Sequence, residues 1–222
     1  MTRALLTCGL LAGPLYMAVY LGQALARPGF DITRHPASVL SNGDLGWIQI
    51  ANFLVCGGLS IAAAVGTRRA LRAGRGSTWG PILIGLSGVG MLLAAVFTAD
   101  PVDGFPPGTP LGPPTTISTT GLLHFVSGLI GFSGWIAASF VFARRFAALG
   151  QPGWATFSAA TGAFFLAAFL GMGAAAVPVM GLVAAVALAW TWLSATSAKL
   201  MAEDARSTGT LSRPLTGVVR PA

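Results

Sequence analysis

Six apolar stretches separated by short polar connections dominate the pattern of this 222-residue chain. They run from about Ala4 to Leu25, Trp47 to Gly66, Pro81 to Thr98, Thr119 to Phe142, Trp154 to Ala174 and Val177 to Ala198. Each has roughly the 17–25 residues with which a helix rising 1.5 Å per residue crosses ~30 Å of hydrocarbon. The pattern predicts an all-α, integral membrane six-helix bundle over residues 1–200. A basic tail, 201–222, is poor in large apolar side chains and is expected to be flexible. The first stretch mimics a secretory signal peptide, with its charged start and Ala24-Leu25-Ala26 end. Its apolar run exceeds the usual 7–15 residues of such a region, so it is read as a retained first helix.

Charge orients the bundle. Of 13 Lys and Arg residues, only Arg27 and Arg34 lie on one side of the six-span pattern; Arg68, Arg69, Arg72, Arg75, Arg144, Arg145 and Lys199 are among those on the other. Four of the six acids, Asp31, Asp44, Asp100 and Asp103, fall with the poor side. The positive-inside rule then puts both termini in the cytoplasm and the chain in the cytoplasmic (inner) membrane. A formal charge of +7 would ordinarily raise nucleic acid as a partner. Here the cations flank hydrophobic segments, which makes them topology signals and contacts for anionic lipid headgroups instead. The expected partners are therefore the lipid bilayer, with a partner membrane protein or a second copy of the chain as further candidates, and not nucleic acid. Hydrophobic residues make up 54% of the chain and charged residues 9%, which excludes an ordinary soluble domain with about 25% charge.

Small residues at four-residue spacing predict close helix packing, because lipid supplies no hydrophobic drive between spans. They are Gly9 and Gly13 in span one, Ala159, Ala163, Ala167, Gly171 and Ala175 in span five, and Gly181, Ala185 and Ala189 in span six. Cys8 and Cys56 fall at depths about 10 Å apart, too far for a disulfide.

Polar residues inside spans are costly and turn toward a bundle interior or cavity. Span one has Tyr16, Tyr20 and Gln23; span two has Gln49, Asn52, Cys56 and Ser60; span four has Thr120, His124 and Ser127. All three stripes grow more polar toward the extracytoplasmic end, with Asn52 and His124 both roughly 7–8 Å inside. In the first outer connection, Pro36 and Asn42-Gly43 bracket a short helical turn at the interface. The second, rich in Pro and Gly from Asp100 to Pro114, is expected to be an extended lid. Arg34 is expected to tie the outer loops down through Asp31 or Asp100.

The runs His35-Pro36-Ala37-Ser38-Val39-Leu40, Gly46-Trp47-Ile48-Gln49 and Asn52-Phe53 resemble one motif of the domain-of-unknown-function 998 family of bacterial and archaeal membrane proteins. Phe97-Thr98-Ala99-Asp100-Pro101, Gly104-Phe105-Pro106, Gly121 and His124 resemble a second. The resemblance covers about residues 4–200. It implies a polytopic membrane fold and brings no established activity. It marks His35, Ser38, Asp100 and His124 as positions of interest.

These readings predict an outward-open pocket among spans one, two and four, roofed by both outer loops. Its expected lining is Gln49, Asn52, His124, Asp100, His35, Ser38, Arg34, Tyr20 and Gln23. The expected role is binding or accessory, toward a lipid, a small solute or a partner. The alternative is an intramembrane lipid hydrolase. It would use Ser38 as nucleophile, His35 or His124 as base and Asp100 as orienting group, or else a water on a metal held by His35, His124 and Asp100. Alkaline ceramidase-type hydrolases are loosely similar, but they need three histidines where this chain has two. No cofactor-binding motif is present, and no resident metal or cofactor is expected.

Overall fold

The computed structural model describes residues 1–71, 73–114, 116–173 and 178–211, the side chains of 173 and 207–211 excepted. It contains six long helices: α1 (Thr2–Ala26), α2 (Gly46–Ala70), α3 (Trp79–Val96), α4 (Thr119–Ala148), α5 (Pro152–Gly173) and α6 (Val179–Leu211). All six are long and apolar enough to cross a membrane. The shortest, the 18-residue α3, spans ~27 Å. The chain is a multi-pass membrane protein with an all-helical fold. The predicted spans match these helices closely, except that α6 continues thirteen residues beyond Ala198 to Leu211. The first half of the expected tail is thus helical. Its remainder, 212–222, lies outside the described residues, as do Arg72 and Ala175.

Each helix packs against its neighbours in the chain, and α6 returns to α1, so the six form a ring. Lipid-facing surface is easy to recognise. Leu25, Leu54, Val55, Ile82, Leu122 and Leu170 are all exposed, as are Trp47 and Trp79 at the first turns of α2 and α3. Tryptophan at helix ends is the usual mark of a membrane–water interface.

Glycine sets the tightest seam. At the α3–α4 crossing, a Cβ on Gly90 would meet the Gly131 Cα at 2.5 Å and the Ser127 carbonyl at 2.8 Å. Gly134 faces Ser87 in the same way. No side chain larger than hydrogen fits, so these backbones touch. Gly9 and Gly13 make similar approaches to Ser197 and Trp190 on α6, and Ala185 and Ala189 are fully buried, as expected. Span five differs. Ala163 and Ala167 are exposed, and α5 packs instead through Ser158, Thr161, Phe165 and Ala168. Large aromatic partners decide this: Phe165 lies 5.0 Å from Phe132 and 5.8 Å from Trp135, so the heavier face of α5 turns inward. Cys8 and Cys56 are both free thiols.

Candidate functional site

The two connections at the end of the bundle holding Arg27 and Arg34 form a folded cap. The first carries a short 3-10 turn, Ala37–Ser41, capped by Pro36, where the sequence predicts one. The second is compact rather than extended. Val102 and Phe105 exchange both backbone hydrogen bonds across Asp103-Gly104, each with positive φ. Aspartate-glycine suits such a two-residue turn, since glycine takes positive φ freely and aspartate tolerates it. Asp103 also binds back to the loop, accepting from the Gly112 N–H at 2.8 Å.

One cluster joins the two loops. Arg34 pairs with Asp103 at 2.6 Å and donates through Nε to Oδ2 at 2.9 Å, so its partner is neither Asp31 nor Asp100. Hydrogen bonding from Arg34 holds the Asp103 carboxyl at a pKa of about 2. The Asp31 carboxyl is likewise lowered, chiefly by hydrogen bonds from Thr33. Beneath lies His35, 1% exposed, between the Phe30 and Phe105 rings at 5.4 and 5.7 Å. Its Nδ1 accepts from the Asp31 N–H at 2.9 Å, so the ring proton sits on Nε2, 3.0 Å from the Asp103 carbonyl that accepts it. Both nitrogens are committed. His35 fastens the two loops through both ring nitrogens.

Arg27 closes the cap from the other side. It donates to the Leu40 and Asn42 carbonyls at 2.5 and 2.6 Å, and its guanidinium lies 4.8 Å from the Phe105 ring centroid. Sequence reasoning did not count Arg27, Phe30, Asp103 and Phe105 among the site residues. Asp103-Gly104 between Val102 and Phe105 was the available signal.

The polar stripes of α1 and α2 face each other. Gln23 donates to Gln49 at 2.9 Å, and Asn52 donates to the Tyr16 carbonyl at 3.2 Å. The Cys56 thiol donates to Asn52 Oδ1 at 3.3 Å, and Ser60 donates to the Cys56 carbonyl. The Gln23–Gln49 and Asn52–Tyr16 bonds tie α1 to α2, and Gln23, Gln49 and Asn52 are not among the residues lining the cavity.

The cavity lies beside it, inside the ring. Its volume is about 320 Å³, and all six helices contribute, together with Pro36–Val39 and parts of the second outer loop. Phe53, Met91, Phe132, Phe169, Leu182 and Val186 typify its walls. Of the expected lining residues, Ser38, Asp100, His124 and Tyr20 are present, whereas Gln23, Gln49, Asn52, His35 and Arg34 are not. The sequence-based pocket is thus displaced toward α4 and deepened by α3, α5 and α6. Gln23, Gln49 and Asn52 are turned into the α1–α2 contact instead.

At the cap end of the cavity Asp100 accepts from the Ser118 N–H at 2.9 Å and from the Ser118 hydroxyl at 2.5 Å. Ser118 Oγ in turn accepts from the Gly121 N–H and caps α4. A side chain at Gly121 would run into the Asp100 carboxylate, which explains the glycine there. His124 Nδ1 lies 2.7 Å from the Phe97 carbonyl; the carbonyl only accepts, so Nδ1 carries hydrogen, and a ring in its neutral form then has its lone pair on Nε2. Asp100 orients Ser118 and α4, and among the described residues it makes no hydrogen bond to a histidine. His35, His124 and Asp100 do not gather as metal ligands, and among the described residues no three His, Cys, Asp or Glu do.

The model of a family described as "Protein of unknown function (DUF998)" matches residues 10–199. The chain belongs to this family. No curated protein and no solved structure matches it. The DUF998 match runs from within α1 to within α6, so α2 to α5, the cap and the cavity lie inside it.

Proposed function

We propose that this protein binds a lipid through a single apolar chain, held in the cavity between its six helices, in the cytoplasmic membrane with both termini inside. The supporting observation is the cavity itself. Its volume falls in the 300–1,000 Å³ range of small-molecule sites, and its walls are almost wholly apolar. From Gly121 to Trp135 along α4 the lining covers ~21 Å, a length suited to a hydrocarbon chain. Phe125 and Ile117 line it although they are 65% and 63% exposed, so it opens beside the outer end of α4, where a chain can enter sideways from the bilayer. The Lys and Arg asymmetry supports the orientation.

Gly128 offers the test. It lines the cavity, and a Cβ there meets nothing within 4 Å. Gly128→Leu should fill the space without straining the backbone. Lipid retained by the purified proteins is measured by mass spectrometry after exchange into a lipid-free detergent. Wild type should keep a single-chain or branched lipid that Gly128→Leu loses. Equal retention by both, or none by either, would overturn the reading.

A further inference from the structure

We propose that the head of this ligand is a hydrogen-bond donor, an alcohol or a protonated amine, and not a phosphate or carboxylate. The inference rests on the lipid-chain reading and adds the chemistry of the outer end.

Four polar residues line the cavity near the cap: Ser38, Tyr20, Asp100 and His124. Tyr20 is 1% exposed, and among the described residues its hydroxyl has no hydrogen-bond partner. A buried, unpaired hydroxyl is costly unless something outside the chain completes it. Tyr20 lies six residues below the end of α1 and His124 five below the start of α4, so both sit ~7–9 Å inside their helices, at one level. Above them Asp100 spends one lone pair of each oxygen on Ser118, and a carboxylate has about four such sites. In its neutral form the His124 ring contributes its Nε2 lone pair. The outer end is thus rich in acceptors.

Cations are missing from it. None of the described lining residues is Lys or Arg. The two nearest in the fold are committed in the cap, Arg27 to two carbonyls and Arg34 to Asp103. An anionic head would sit by Asp100 with no counter-charge, and burying an unpaired charge is strongly unfavourable. A hydroxyl or ammonium instead donates to Asp100 and His124, and a hydroxyl also accepts from the orphan Tyr20 O–H.

Four amphiphiles of one chain length, each brominated at the chain end, provide the test: a primary amine, an alcohol, a carboxylate and a phosphate ester. Trp135 lines the deep end, and bromine arriving there quenches its fluorescence; subtracting the signal of Trp135→Phe removes quenching of tryptophans at the lipid surface. The amine and alcohol should quench at about tenfold lower concentration than the anions, the size of one charge-assisted hydrogen bond. Asp100→Asn should narrow that gap for the amine. Tyr20→Phe, which leaves the α4 cap intact, should weaken the alcohol several-fold and the amine less. Four equal curves, an anionic preference, or insensitivity to both substitutions would overturn the head assignment while the chain reading stands. No Trp135-dependent quenching by any of them would overturn the chain reading itself.

Discussion

Histidine shows how local partners settle a residue's chemistry. His35 and His124 are the only two in the chain, and both lie near the same end of the bundle. Yet one is saturated by Asp31 and Asp103, while the other spends a single nitrogen on Phe97. Only His124 can act on a ligand. The latch around His35 has its own pH dependence. Asp103 titrates near 2 in the folded chain, below the ~3.9 of an unperturbed aspartate, so its contribution is complete above about pH 4 and fades as pH falls through 2. Hydrogen exchange over residues 101–112, corrected for intrinsic rates, should therefore be constant from pH 7 to 4 and rise only below. Asp103→Asn should raise it already at pH 7, because the ion pair with Arg34 is gone; unchanged protection in that variant would refute the latch.

Helices pair here by surface relief. Where Gly90 and Gly131 meet, backbone lies on backbone, and Gly90→Val forces α3 and α4 apart. Overpacking of that kind costs about 1–3 kcal/mol, seen as a lower thermal midpoint in detergent. Gly58, whose Cβ would meet nothing within 4 Å, is the control: Gly58→Ala should leave the midpoint unchanged or slightly higher. A Gly90→Val variant as stable as wild type would mean the seam is looser than its geometry. The exposed Ala163 and Ala167 carry the same lesson in reverse, since spacing alone does not say which face a small-residue stripe occupies.

For the whole molecule, topology is the first thing to measure. With Cys8 and Cys56 replaced by serine, a membrane-impermeant thiol reagent applied to intact cells should label Leu111→Cys and spare Leu149→Cys; both positions are well exposed. The reverse pattern would invert the orientation and move the cavity mouth to the cytoplasm. At this scale the ring closure of α6 on α1 matters most, because a cavity bounded by all six helices exists only once the last span has docked.

Number and order of the helices, the short turn after Pro36 and the placing of Asp100 and His124 toward one end of the bundle were legible in the chain itself. A span must be apolar for some twenty residues whatever surrounds it, and capping chemistry is local. Tertiary structure decided the rest. It turned Gln23, Gln49 and Asn52 against one another, gave Arg34 to Asp103, and opened an apolar space edged by Phe132, Phe169 and Val186. In a membrane helix nearly every position is apolar, so hydrophobicity no longer distinguishes inside from outside. Which side chains face a cavity then depends on how shapes fit between helices distant in sequence.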